Sequence, residues 1–339
     1  MRKSNIELLR IILAFLLVGW HYYFHTYGIT WTFLVFAMPS AAIVPVFALI
    51  TGYFLSKNQT YSFPLKFLIT FIYVYLINLA VGALIYGVSG GLNHAVLLKL
   101  CKLGGRDWWY LWALLIIYLI APILNRGLTL ISKNYFIFMI VLFTILFFIL
   151  SYWIKFEYVS AMSAKASGLI LLLYYYLIGA GFRLYLTDFT YRYRKLIYLV
   201  APAILLLLMV VVMLLYVNHQ DIQEFVYPAH LPVLVASITI FTLFHEINIK
   251  SSKVINYFAS LGLVIYLFHY LFQYLMVKYI RDWSSIVEIS YLINTLLTYA
   301  MSVVFAIPIT FVLNNSVKWS WKQLNVLNQK LMKKARKGS

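Results

Sequence analysis

Ten long apolar runs dominate this chain, at about residues 8–26, 32–55, 66–88, 108–125, 134–153, 167–186, 196–217, 230–246, 254–279 and 286–313. Each is close to the roughly 20 residues that a helix needs to cross a bilayer. In hydrocarbon every backbone N–H and C=O must find its partner inside the protein, which leaves helices or closed barrels. These runs are unbroken, without the alternation over about ten residues that marks a barrel strand. Hydrophobic residues make up 64% of the 339 and charged residues 11%, against about 45–50% and 25% in a soluble domain. Ten spans absorb roughly 200 residues, leaving too few for an added soluble catalytic domain. The sequence therefore predicts an all-α, polytopic membrane helical bundle of about ten transmembrane helices over residues 1–317. A basic tail follows at 318–339, with Trp319 and Trp321 near its start. No linker, repeat or further domain boundary is visible. A soluble enzyme, a disordered chain and a single-span receptor are excluded.

Charge sets the expected orientation. The chain has 27 Lys and Arg against 9 Asp and Glu. Threading the ten runs with both termini cytoplasmic puts 20 of the basic residues inside and 7 outside, as the positive-inside rule requires. Loops 89–107, 154–166 and 218–229 then face outward. Pro228 and Pro232 leave the seventh and eighth spans open to a broken or re-entrant path. Met1-Arg2-Lys3 before an apolar run resembles a signal peptide, but the run is long, contains Arg10 and lacks a small-residue cleavage site. A retained first helix is expected. The basic excess on such a chain points to anionic lipid and cytoplasmic loops, not to nucleic acid. Cys101 is the single cysteine, so no disulfide framework or thiolate metal site is expected.

The first run carries ionisable groups, and charges inside a membrane helix mark functional sites by default. Arg10 and His21 are 11 residues apart. At about 100° and 1.5 Å per residue this is three turns plus roughly 20°, so they share one face about 16.5 Å apart. Glu7, three residues before Arg10, is placed to pair with it. A guanidinium at the mouth of the helix suits phosphates, or it snorkels to lipid headgroups. A neutral imidazole can take a proton from a hydroxyl or hold an acyl group, or it is a packing histidine with a satisfied hydrogen bond. His25, one turn on, reads as interfacial. Glycine-rich phosphate loops, nucleophile elbows, C-x-x-C pairs and H-E-x-x-H helices are absent. His245-Glu246 lacks a further ligand at metal spacing, and no metal is expected.

The stretch Ile6-Glu7-Leu8-Leu9-Arg10, followed by Gly19-Trp20-His21, resembles the opening of the membrane acyltransferase-3 family. Further matches follow in order: Pro45-Val-Phe through Thr51-Gly52-Tyr53-Phe54-Leu55, Trp109-Tyr110-Leu111-Trp112 through Tyr118 to Pro122, Tyr176-Leu-Ile-Gly179, and Ser260-Leu-Gly262 through Tyr266-Leu-Phe-His269. Thr51 stands where relatives carry serine. Many relatives have an arginine pair after the second helix; here Lys57 and Lys66 flank that loop, and a lysine is a looser point charge than an arginine.

The resemblance implies an acyl-coenzyme A-dependent membrane O-acyltransferase whose first-helix histidine is catalytic. On it we take His21, Glu7 and His269 as candidate catalytic residues. Arg10, Lys66 and Tyr53 are candidates for binding the coenzyme, and Tyr110, Trp112 and Tyr266 for binding the acceptor. The donor expected is acetyl-CoA or another acyl-CoA. The acceptor expected is a hydroxyl of an extracytoplasmic or lipid-linked glycan, and the location is the cytoplasmic membrane. Partners admitted by this reading are membrane lipids, a separate extracytoplasmic transferase and further copies of the chain. The rival is a non-enzymatic transporter or flippase for a glycan or its lipid carrier, which would also line a passage with Arg10 and His21.

Overall fold

A computed structural model describes residues 3–22, 26–57, 65–88, 109–150, 168–279 and 285–338. His25, Cys101 and the loops at 89–107 and 154–166 lie outside the described residues. Within them all regular structure is helical. The helices are α1 (Ser4–Tyr22), α2 (Trp31–Ala41), α3 (Ile43–Leu55), α4 (Leu65–Val88), α5 (Trp109–Leu130), α6 (Lys133–Thr144), α7 (Leu169–Gly181), α8 (Thr187–Arg192), α9 (Arg194–Val217), α10 (Gln223–Val226), α11 (Leu231–Glu246), α12 (Lys253–Ser260), α13 (Gly262–Tyr279) and α14 (Val287–Gly338). Wider π-helical turns extend α6 over Ile145–Leu150 and join α7 to α8 over Phe182–Leu186.

Seven described segments are long and apolar enough to cross a membrane: Ser4–Tyr22, Trp31–Leu55, Leu65–Leu84, Trp109–Leu130, Leu169–Arg192, Arg194–Val217 and Val287–Val326. Two of the expected spans, near 134–153 and 230–246, correspond to shorter apolar helices, Lys133–Ile149 and Leu231–Glu246. The expected span at 254–279 is a bent pair, α12 and α13, meeting at 51°. At the bend Ser260 bonds back to the Tyr257 carbonyl at 2.6 Å and Gly262 follows, two residues that weaken a helix interior. The bend separates Ser260 from the helix that carries His269. The second run is interrupted at Ala42, three residues before Pro45, whose ring cannot sit against a continuing helix. Pro232 lies in the first turn of α11, where proline is tolerated, so α11 runs on unbroken. The basic tail continues α14 as helix to Gly338.

The chain forms two compact units, Met1–Tyr61 with Ile120–Ser302, and Ser62–Leu119 with Val303–Ser339. In the second unit Phe67 stacks on Tyr118 (ring centroids 4.9 Å), Phe71 packs against Trp112 (4.6 Å), and the Tyr73 hydroxyl meets Ser320 Oγ at 2.8 Å.

In the first unit α1 packs against α2, α3, α11, α12 and α13. Its most intimate helix pair is α3 with α7, and two motif glycines explain it. A Cβ on Gly52 would overlap the Tyr176 carbonyl, and one on Gly179 would overlap the Leu49 carbonyl. Only hydrogen at both positions lets the backbones meet. Thr51 folds its hydroxyl onto the Phe47 carbonyl at 2.8 Å. Asn125, fully buried, donates to the Leu55 carbonyl at 2.6 Å and accepts from the Tyr176 hydroxyl at 2.8 Å. It thereby satisfies an end carbonyl of α3 that the helix leaves open.

Candidate active site along the first helix

Two clusters of polar side chains sit at the two ends of α1, with an ion pair near the first. Helix α1 runs parallel to α12 and α13. Ser4 bonds Asn256 at 3.1 Å and receives the Ser252 N–H at 2.9 Å, while His21 meets Tyr270 at the far end.

At the start of α1, Lys3 donates to the Tyr53 hydroxyl at 2.6 Å and lies 3.2 Å from His245 Nε2. The Tyr53 hydroxyl is 3.0 Å from the same nitrogen, and His245 Nδ1 is 2.7 Å from Glu246 Oε1. Arg183 donates to the Tyr53 carbonyl at 3.5 Å and lies over its ring, 4.9 Å from the centroid. The Asn5 amide caps α11 by donating to the carbonyls of Phe244 (2.9 Å) and His245 (2.8 Å). These residues come from the start of α1, the ends of α3 and α11, and the π-turn after α7.

Just inside this end, Arg10 and Glu7 form an ion pair at 3.4 Å; the Glu7 side chain is buried, and that of Arg10 is 41% exposed. Glu7 stands 14 residues from His21, roughly 21 Å along the helix. It supports Arg10 and does not touch the imidazole.

At the other end His21, half-buried in the last turn of α1, lies against the Tyr270 hydroxyl, with Nδ1 at 2.7 Å and Nε2 at 3.2 Å. Its ring is 5.0 Å from that of His269 and 4.4 Å from that of Tyr270. The helix end carrying His21 is anchored from α14. Tyr291 donates to the Gly19 carbonyl at 3.1 Å, and the Tyr22 hydroxyl meets Thr298 Oγ1 at 2.6 Å. Gly19 leaves room for the Tyr291 hydroxyl, which would be 3.0 Å from a Cβ there.

His269 is fully buried. Its Nδ1 faces two carbonyls, Tyr266 at 2.8 Å and Ile265 at 3.2 Å. Carbonyls only accept, so Nδ1 carries the proton and Nε2 presents a lone pair. That Nε2 has no hydrogen-bond partner among the described residues, and neither does either atom of the Gln273 amide, one turn further along α13 and 4% exposed. Buried polar atoms are nearly always paired. A bare acceptor and a bare amide stand one turn apart on one face of α13, and the ring that carries the acceptor lies beside His21.

A model of the acyltransferase-3 family, described as an acyltransferase domain, matches residues 3–315. The chain belongs to the acyltransferase-3 family. It is a multi-pass membrane acyltransferase. No curated protein and no solved structure matches it.

The acyltransferase fold brings His21, His269 and Tyr266 together; the Tyr266 ring is 6.4 Å from that of His269. It gathers Tyr53 into the cluster at the opposite end of α1, where its hydroxyl is engaged by Lys3 and His245. Lys66, Tyr110 and Trp112 belong to the second unit. Lys66 is exposed near the start of α4, and Trp112 is 45% exposed. Sequence reasoning missed Lys3, Arg183, Tyr270 and Gln273, and considered His245 only as a metal ligand. Tyr270 and Gln273 sit one and four residues after a motif histidine, which is the single local signal either offers.

Proposed function

We propose that this acyltransferase takes an acyl group, acetyl in the simplest case, from a cytoplasmic acyl-coenzyme A and delivers it to a hydroxyl of an extracytoplasmic or lipid-linked glycan. The observation that supports this most is the facing pair of imidazoles at the end of α1, one half-buried and hydrogen-bonded to Tyr270, the other holding a bare Nε2. His21 takes the proton of the acceptor hydroxyl, and that oxygen attacks the thioester carbonyl carbon. The carbon–sulfur bond breaks, and the imidazolium returns the proton to the departing thiolate. Positive charge develops on His21 during this step, and His269, fixed as an acceptor by its two carbonyls, stands where it stabilises that charge. Tyr270 positions the His21 ring. Gln273 lies one turn beyond His269, away from the Lys3 end. Its amide can both donate and accept, which matches a sugar hydroxyl. The basic end of α1 faces the cytoplasm in this reading, with both termini there and the protein in the cytoplasmic membrane; the 20-to-7 split of Lys and Arg supports it.

The test uses purified protein in vesicles with radiolabelled acetyl-CoA and a lipid-linked glycan fraction. Label should move to the glycan with release of free coenzyme A. His21→Gln, which keeps a similar polar volume, should lower the rate by about 10²–10⁴-fold, as loss of a general base does. Glycan movement without any coenzyme A-dependent product would establish the transporter instead.

A further inference from the structure

The cluster at the start of α1 holds more positive charge than it neutralises. Lys3 and Arg183 both lie against Tyr53, with the ammonium 5.0 Å and the guanidinium 4.9 Å from its ring centroid. Both are half-buried. Among the described residues neither has a carboxylate partner. The one carboxylate in the cluster, Glu246, is bonded to His245 Nδ1 at 2.7 Å. Two half-buried cations gathered around one ring repel each other and lose hydration, a costly arrangement unless an anion completes it.

The donor inventory points the same way. With its Nδ1–H directed at Glu246, His245 offers Nε2 as an acceptor, and Lys3 and the Tyr53 hydroxyl both turn toward it. A lysine ammonium has three N–H donors and a guanidinium five. This network uses two of the first and one of the second; the rest have no partner among the described residues. The remaining fork of Arg183 is the geometry that grips phosphate. Arg183 sits in the π-turn over Phe182–Leu186, held open by the Thr187 hydroxyl bonding back to the carbonyls of Phe182 (3.2 Å) and Arg183 (3.3 Å). Such turns re-aim side chains at functional sites. The positive dipole end of α1 adds to the field at the same place.

We propose that Lys3 and Arg183, braced by Tyr53 and His245, form a phosphate-binding site. Tyr53 is then a support for the two cations and not itself a contact for the coenzyme. Resting on the reading of the protein as a coenzyme A-dependent enzyme, the phosphate is that of the donor nucleotide. Lys3 immediately precedes α1, and His21 lies in its last turn. Phosphates bound at Lys3 and a thioester at His21, about 27 Å further along the axis, use opposite ends of one extended molecule. The same chemistry would accept the phosphodiester of an anionic lipid, and the experiment separates the two.

The full-length protein is purified in detergent, and binding is measured with coenzyme A, with pantetheine, which lacks phosphate, and with phosphatidylglycerol nanodiscs. Lys3→Gln and Arg183→Gln should each weaken coenzyme A binding at least about tenfold and leave pantetheine binding unchanged. Lys3→Arg and Arg183→Lys, which keep the charge, should recover part of the loss. Without ligand the glutamine variants should melt no lower than the parent, since each removes an uncompensated cation; a site built only for structure would melt lower. If the parent does not bind coenzyme A, the proposed donor fails while the site is still tested. Stabilisation by phosphatidylglycerol that both glutamine variants lose then assigns the site to lipid. Glutamine variants that match the parent with both coenzyme A and phosphatidylglycerol overturn the proposal.

Discussion

Replacing Gln273 by methionine separates a functional amide from a structural one, because the two roles give opposite signs. Gln273 is 4% exposed, and neither amide atom has a partner among the described residues. Burying an unpaired amide costs about 1–3 kcal/mol on protein scales. Methionine has nearly the same length and no branch, so it fills the same space without a cavity. Gln273→Met should therefore stabilise the resting protein by roughly 1–3 kcal/mol, read as a rise in melting temperature in detergent. If the amide reads an acceptor hydroxyl, the same change removes one neutral hydrogen bond. That bond is worth about 0.5–1.5 kcal/mol, or roughly a 2- to 10-fold loss in kcat/KM for the glycan. The loss should fall on the acceptor and leave the KM for acetyl-CoA unchanged. A variant that melts lower and transfers acyl groups at the parental rate would refute the reasoning on both counts. It would show that the amide is satisfied within the folded protein and takes no part in acceptor binding.

Tyr270→Phe removes only the hydroxyl that meets His21; a loss of roughly 2- to 10-fold in rate with a displaced pH–rate profile is expected, and an unchanged profile would show that Tyr270 does not position the imidazole. Gly52→Ala or Gly179→Ala drives a methyl into a facing backbone carbonyl; a destabilisation of at least about 1–3 kcal/mol follows, seen as loss of the monodisperse peak in size-exclusion chromatography, and normal elution and melting would mean that α3 and α7 separate easily. Orientation is checked in a Cys101→Ser background: an impermeant thiol reagent added to intact cells should label Asp221→Cys and reach Lys322→Cys only after permeabilisation, and the reverse pattern would invert the topology.

Sequence alone determined what depends on local periodicity and bulk hydropathy. Arg10 and His21 share a face because both lie within one helix, where a fixed 100° per residue links spacing to direction. The long apolar runs had to be helices because lipid offers the backbone no partner. Gly52 and Gly179 were visible only as members of motifs, not as the points where α3 and α7 meet. Tertiary structure decided the chemistry of the ends. His21 meets Tyr270 across 249 positions, and Lys3 meets His245 across 242; no spacing rule reaches that far. Lys3 and His245 sit at the ends of different segments and Arg183 in the π-turn within a third, and sequence could count the two cations only as charges near the ends of apolar runs. Gln273 carries no charge and no motif, so its meaning came from one fact of packing: the helices around it bury its amide and leave it unbonded. The bend between α12 and α13 has a local signal in Ser260 and Gly262, but that both helices pack against α1 and bring His269 beside His21 is decided only by the tertiary structure.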